Sequence, residues 1–369
     1  MILTSVQLKN FRCHKEISLN FSENLNYIVG GNGLGKTAIL ESIYYLCTTK
    51  SYNTNSDNEV LKFGEDVFEI SGQFKNLVND DVRIFYSSQE NKKSYLQNGK
   101  HKHRPSEVIG NYPIVLLTPA DHSITFGYPG DRRKFIDSIY CQASGAYLEL
   151  LIDYNRTIRQ RTSLLNSIKD SRNKSIGELD AWTQKLLETG LELINYRINF
   201  FNEFEPFVND AYKEILNDNE HPGIKYFFLG GYSGENIKDR FIELLETKRD
   251  DELRRCACLV GPHKDDFVFD INGINLKTYG SQGQHKTFQV ALRFAEFFYL
   301  KEKTGKTPIF LLDDVFGELD VARSVRISEN LRNVGQTFIT LTDFTNISYL
   351  SKQSTDTVIK LMNGKVVYA

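Results

Sequence analysis

The chain has 369 residues, enough at roughly 100 to 200 per domain for two or three folding units with sizeable cores, so a disulfide-stapled miniprotein is excluded. Apolar residues make up 40% and charged residues 25%, which excludes wholesale disorder. Lys plus Arg number 45 against 47 for Asp plus Glu, so with a net charge of -2 any polyanion site must be a local patch.

No stretch approaches the ~18 apolar residues a spanning helix needs, and Met1-Ile-Leu-Thr-Ser-Val-Gln-Leu-Lys lacks a basic region running into an apolar one. The expectation is a cytoplasmic chain with no membrane partner. Cys13, Cys47, Cys141, Cys256 and Cys258 are odd in number and scattered, as where thiols stay reduced. Cys256-x-Cys258 with His263 nearby lacks the spacing of a zinc knuckle and has no second pair, which favours buried structural cysteines.

In chain order, residues 4–9 and 17–21 alternate as strands, and residues 25–29 run into a glycine-rich turn. Ile39, Leu40, Ile43 and Cys47 then share one helical face. Strands are predicted at 67–74 and 82–87, and Asn98-Gly99 is a strong hairpin signal.

Tyr147, Leu151, Tyr154, Ile158, Leu165 and Ile168 form a heptad seam whose missing position is Arg161. Leu179, Trp182, Leu186, Leu193, Tyr196 and Phe200 repeat it, with Thr189 as the polar break. Two such seams around the polar stretch 169–174 predict an antiparallel helical hairpin with arms of roughly 35 Å.

From about residue 253 the α/β pattern returns, with strands at 267–271, 309–312 and 337–341 and helices at 286–299 and 322–332. Asn363-Gly364 turns a terminal hairpin. The resulting expectation is an α/β head from residues 1–130 and 253–369, with residues 131–252 as an inserted helical domain.

Gly30-Gly31-Asn32-Gly33-Leu34-Gly35-Lys36-Thr37 fits G-x4-G-K-[ST] between a predicted strand and a predicted helix. The glycines let backbone N–H groups converge on an anion, and the helix N-terminus adds its positive end. Lys36 reaches the β- and γ-phosphates and the Thr37 hydroxyl ligates magnesium. Ile309-Phe-Leu-Leu-Asp313-Asp314 is an apolar strand ending in two carboxylates, which implies a nearby cation. Asp313 is placed to hold the metal through water, and Asp314 to orient or deprotonate the attacking water. Tyr279-Gly-Ser281-Gln-Gly283-Gln284 opens a third element, a helix N-terminus able to receive an anion.

Together these motifs and Gly317-Glu-Leu-Asp320 resemble the nucleotide-binding head of ABC ATPases, and the details resemble the RecF family, bacterial recombination-repair relatives of SMC proteins. Similar stretches are Asn10-Phe-Arg12, Asp131-Arg-Arg-Lys-Phe-Ile-Asp137, Leu179-Asp-Ala-Trp182 and Gly261-Pro-His-Lys-Asp-Asp266. The implied fold is a P-loop NTPase head of the ABC kind, with an antiparallel β subdomain and the inserted helical hairpin. The resemblance implies an ATP- and Mg2+-dependent homodimer in which Ser281, Gly283 and Gln284 of one subunit close on the γ-phosphate held by Lys36 of the other. Asp320 would communicate across that interface. It further implies work with RecO and RecR in loading RecA onto gapped DNA. Two features depart from wider ABC practice: no switch histidine lies near Thr340-Leu-Thr342, and Asp314 stands where glutamate is usual, although aspartate there is usual for RecF. The alternative expectation is an ABC subunit that energises a transporter, against which the long helical hairpin argues.

For double-stranded DNA, the candidate contacts are Lys92, Lys93, Lys100, Lys102 and Arg104 around the predicted hairpin tip, and Arg156 and Arg159 (with Arg161 beside them) on the first helical arm. No base-reading motif appears, so backbone and shape recognition is expected.

Overall fold

The computed structural model describes residues 1–76, 78–170, 176–216, 220–232, 236–316, 321–343, 353–362 and 365–368. Its N-terminal half contains strands β1 (Ile2–Phe11), β2 (His14–Asn20) and β3 (Leu25–Val29), helix α1 (Lys36–Thr48), then β4 (Val67–Lys75), β5 (Asp80–Ser87), β6 (Lys92–Gln97), β7 (Lys100–Lys102) and β8 (Ile114–Leu117). Helices α2 (His122–Phe126), α3 (Pro129–Ala143), α4 (Gly145–Asp170) and α5 (Ile176–Leu216) follow. Next come β9 (Pro222–Phe227), α6 (Ile237–Thr247), α7 (Arg249–Arg255), β10 (Asp266–Ile271), β11 (Ile274–Asn275), α8 (Leu276–Tyr279) and α9 (Gln282–Thr304). The chain ends with β12 (Ile309–Leu312), α10 (Val321–Leu331), β13 (Thr337–Leu341), β14 (Thr357–Met362) and β15 (Lys365–Tyr368). Among the described residues no helix is long and apolar enough to cross a membrane.

The chain divides into two compact units: Met1–Asp121 with Ala211–Asp218 and Gln289–Ala369, and His122–Asp210 with Asn219–Phe288. These bounds differ from the division at 130 and 253 that the sequence suggested. The physical reason is that residues 253–288 supply two strands of a sheet with β9, ordered β11-β10-β9, and pair with the helices: the Arg132 guanidinium grips both oxygens of Asp266 at 2.7 and 2.9 Å.

The first unit contains two sheets. One is antiparallel in the order β2-β1-β4-β5-β6-β7, and the other, β15-β14-β3-β13-β12-β8, is parallel except for β15. Strands β3, β8, β12 and β13 are buried at every position, as expected where both faces of a parallel sheet are covered. α1 packs on strands of both sheets, and its Ile39, Leu40, Ile43 and Leu46 are fully buried in their shared core. The hairpin between β6 and β7 forms at Asn98 and Gly99, both at positive φ (53° and 74°), the geometry an Asn-Gly turn supplies without strain. The turn expected at Asn363-Gly364 lies outside the described residues, although Met362 pairs with Lys365 across it.

In the second unit α4 and α5 run antiparallel. Tyr147 meets Arg197, Asp153 meets Lys185 and Arg161 meets Thr183, so the partner's number falls as the first rises. α5, at 41 residues, is about 60 Å long and exceeds the expected arm. The irregular seam position Arg161 is buried. Its guanidinium ion-pairs with the fully buried Glu252 of α7 at 2.6 Å, which removes the cost of burying a lone cation.

Candidate functional site

The ends of β3 and β12 lie on either side of β13, since the strand order is β3-β13-β12 and all three are parallel. The chain therefore releases its glycine loop and its two carboxylates at the same edge, the usual place for a ligand in an open α/β sheet.

The loop's geometry depends on glycine at two places. Gly33 and Gly35 have φ of 80° and 88°, and a Cβ on Gly35 would collide with Cys13 and His14. His14 reaches the Gly35 carbonyl with Nε2 at 3.1 Å. Lys36 is 7% exposed, and its Nζ donates to the carbonyls of Gly30 (2.7 Å) and Gly31 (3.0 Å), so the ammonium is held over the loop by weak acceptors that an anionic phosphate can replace.

Three hydroxyls converge on Asp313. Thr37 Oγ1 donates to Oδ1 at 3.0 Å, Thr340 Oγ1 donates to the same oxygen at 2.8 Å, and the Tyr52 hydroxyl donates to Oδ2 at 3.1 Å. Burial, and after it the facing Asp313 charge, raise the Tyr52 phenol far above its ordinary value, so it remains a donor. Its ring stands edge-on to Tyr44 at 5.4 Å. Asp314, by contrast, is exposed. Its φ is 54°, a left-handed conformation that aspartate and asparagine adopt more readily than longer side chains, and its N–H donates to Thr340 Oγ1 at 2.8 Å. This conformation gives a local reason for aspartate rather than glutamate at 314.

Thr37 and Asp313 fit a hard divalent cation: a hydroxyl and a carboxylate oxygen already 3.0 Å apart at the foot of the phosphate loop are the donor types that magnesium prefers. The neighbouring Asn10-Phe-Arg12 segment supports the loop from behind. Phe11 is fully buried edge-on against Tyr45 and Phe68, and Arg12 forms a two-bond pair with the buried Glu41 of α1 at 2.8 and 2.6 Å. The Glu41 hydrogen bonds raise the Arg12 pKa.

In the second unit Ser281 and Gln284 form a reciprocal cap: Ser281 N–H donates to Gln284 Oε1 (2.9 Å), and Gln284 N–H donates to Ser281 Oγ (3.2 Å). Ser281 is exposed, while the Gln284 amide donates to Glu220 at 2.7 Å. The expected site residue Asp320 lies outside the described residues.

Two other family-like stretches meet in one ionic cluster of this unit. The buried Arg197 donates to Asp137 (2.9 Å), the Pro262 carbonyl (2.8 Å) and Asp265 (3.3 Å), and Tyr147 donates to Asp137 at 2.6 Å. His263 bridges Tyr154 OH (2.7 Å at Nδ1) and the Cys258 carbonyl (2.9 Å at Nε2), an arrangement that suits the neutral ring, and burial lowers its pKa to about 4.

Among the basic candidates, Lys92, Lys100, Arg104, Arg156 and Arg159 are exposed and Lys102 is half-buried. Lys93 is a correction to the expected set. Its ammonium pairs with Asp57 at 2.8 Å, donates to Thr49 O and Tyr45 OH, and lies over the Tyr45 ring, so it braces the sheet rather than facing outward. Arg161, buried against Glu252, likewise leaves the basic group on α4. Tyr52 and Thr340 were missed. β13 carries two buried threonines, Thr337 and Thr340, so its sequence alone does not single out the one that meets Asp313.

A glycine loop, a paired carboxylate at the next strand but one, and an antiparallel lobe packed on the same helix define a P-loop nucleotide-binding head of the ABC kind. The family model for the RecF/RecN/SMC N terminal domain matches residues 2–359. Over 353 residues the chain is 38% identical to the DNA replication and repair protein RecF of Chloroherpeton thalassium, covering 93% of this chain and 95% of that protein. The chain belongs to the RecF family within that wider group. Among solved structures, the recombination mediator protein RecF with ATP in the RecFOR pathway matches with a TM-score of 0.90 at 30% identity, over 100% of this chain and 97% of that one. An Smc head domain with an extended coiled coil from Pyrococcus furiosus, bound to the C-terminal domain of ScpA, shares the fold, with a TM-score of 0.56 at 16% identity over 100% and 96% of the two chains.

Proposed function

We propose that this chain is an ATP-dependent DNA-binding protein of recombinational repair and replication restart, acting as a homodimer on duplex DNA beside single-stranded gaps. The single observation that carries the reading is the convergence of the Lys36–Thr37 loop with Asp313 and Asp314 at one sheet edge, in a chain of the RecF family.

The loop 30–37 would hold the triphosphate of ATP, with Lys36 exchanging its carbonyl partners for phosphate oxygens. Thr37 and Asp313 would hold Mg2+, which supplies charge neutralisation for the phosphates when bound. Water would attack the γ-phosphorus, Asp314 would accept a proton from it, and the bond from phosphorus to the β–γ bridging oxygen would break to leave ADP and inorganic phosphate. Aspartate is one methylene shorter than glutamate, so turnover would be slow, with DNA stimulating it by favouring the closed dimer. Ser281, Gly283 and Gln284 would reach the γ-phosphate of the partner subunit, making ATP an interface component, and Asp320 would relay closure. Ser281 is placed for this by its exposure; Gln284 would first have to leave Glu220.

Lys92, Lys100, Lys102, Arg104, Arg156 and Arg159 would neutralise DNA phosphates without reading sequence. RecO and RecR would be the partners in loading RecA, in the cytoplasm. The transporter-energising alternative draws no support from the relatives, which are repair proteins by name.

The test is a titration of duplex, gapped and single-stranded DNA with and without ATP across a salt series. Tightest binding to gapped duplex with ATP, and a slope of log affinity against log salt reporting several phosphate contacts, is the expected result. Equal affinity in the absence of nucleotide overturns the coupling.

A further inference from the structure

Thr340 lies inside β13, a strand buried at all five positions, and is itself fully buried. Valine would fill that place with no polar atom to satisfy, and a hydroxyl there is costly unless it is hydrogen-bonded. A hydroxyl has one donor and can accept as well, and here both capacities serve consecutive residues: it donates to Asp313 Oδ1 and accepts from the Asp314 N–H, each at 2.8 Å. The two aspartates follow β12 at its C-terminal end, Asp313 still donating its N–H to the Leu117 carbonyl of β8 at 2.9 Å and Asp314 in the left-handed conformation at φ 54°. Such a conformation persists where its surroundings hold it, and here the Thr340 side-chain hydroxyl accepts from the Asp314 main-chain N–H.

We propose that Thr340 is the positioning residue of the carboxylate pair, locking the backbone of Asp314 to the side chain of Asp313 so that the base and the metal-holding group keep one fixed relation. Thr37 and Tyr52 also donate to Asp313, whereas the Thr340 hydroxyl bonds both to the Asp313 carboxylate and to the Asp314 N–H, adding a side-chain bridge to the peptide bond that joins the two aspartates. The inference rests on the ATPase reading above.

Three full-length variants test it. Thr340→Val keeps the shape and removes the hydroxyl, Thr340→Cys keeps a similar size with a weak donor and acceptor, and Thr340→Ser keeps the hydroxyl without the methyl. Steady-state phosphate release gives kcat and KM, and a fluorescent ATP analogue titrated with Mg2+ and in EDTA gives affinity apart from turnover. For Val and Cys, kcat falls at least tenfold with KM within threefold; the EDTA affinity is unchanged and the gain from Mg2+ shrinks. Ser restores both. A kcat within twofold of wild type in Val or Cys, or a loss in Ser as deep as in Val, overturns the proposal; should Val not fold, Cys carries the comparison. Wild-type protein that binds the analogue but never turns over instead refutes the hydrolytic reading, and Thr340 is then judged by the Mg2+-dependent affinity alone.

Discussion

Asp314→Asn separates the backbone of this residue from its charge. Asparagine is nearly isosteric with aspartate and tolerates φ of 54°, and its N–H still reaches Thr340, so the folded chain should be unaltered and its melting temperature close to that of wild type. The exposed carboxylate is the only group lost. A positioned base contributes about 10²- to 10⁴-fold, or about 3 to 5 kcal/mol of barrier. The variant should therefore release phosphate at least a hundredfold more slowly, with affinity for a fluorescent ATP analogue within about threefold of wild type. Its ATP-bound dimer should persist longer on DNA, read as slower dissociation from a labelled duplex. Asp314→Ala loses the same base and in addition carries about 1 kcal/mol of left-handed strain, so a lower melting temperature for Ala than for Asn checks the conformational half of the argument. Turnover by Asp314→Asn within threefold of wild type would remove Asp314 from the base role.

Lys36→Met deletes the ammonium that bonds to the Gly30 and Gly31 carbonyls; a charge-assisted hydrogen bond contributes about 1.5 to 3 kcal/mol, so ATP-analogue affinity should fall more than tenfold, and unchanged affinity contradicts the phosphate-loop assignment. Ser281→Arg removes a helix-capping hydroxyl and adds bulk at an exposed position, so monomer affinity for nucleotide should stay near normal while light scattering shows no ATP-dependent dimer; a surviving dimer counts against a site shared between subunits. His263, with a folded pKa of about 4 against an ordinary 6.5, binds a proton more readily when unfolded. Its contribution is thus intact above about pH 6.5 and is lost as the pH falls towards 4, by up to about 3 kcal/mol. Urea melts between pH 7 and 4 should show that slope, and His263→Asn should flatten it; an identical slope in the variant is evidence against a buried neutral ring.

The parts of the site that could be read from the sequence are those whose chemistry is local. The glycine loop needs only consecutive residues between a strand and a helix, and Asp313-Asp314 announces itself as two charges closing an apolar strand. Asn98-Gly99 likewise encodes its turn through two residues that accept positive φ. What escaped was long-range. Thr340 meets Asp313 across 27 positions and Tyr52 meets it across 261, and threonine in a strand is an ordinary β-former, so nothing in its own neighbourhood marks it. Lys93 and Arg161 read as free cations because their anions, Asp57 and Glu252, lie 36 and 91 positions away. The place of residues 253–288 depended on strand pairing with β9, which periodicity cannot supply.

The conformation of Asp314 also bears on why slow turnover would be tolerable. A longer glutamate would extend further toward a water, but at φ 54° it would sit in a backbone region that favours the shorter carboxylate, and the Thr340 bridge holds the main chain there. Reach and rigidity therefore oppose each other at this position, and the chain has the rigid solution. For a metabolic ATPase that choice would forfeit rate. For a protein whose ATP state is the DNA-holding state, the lifetime of the complex is set by the reciprocal of the hydrolysis rate, so a tenfold slower base lengthens residence on DNA tenfold without any new contact. On this argument Asp314→Glu is the informative opposite of Asp314→Asn: if reach limits the rate, phosphate release rises and DNA residence shortens, whereas if the left-handed backbone limits it, glutamate lowers the melting temperature and gains no rate.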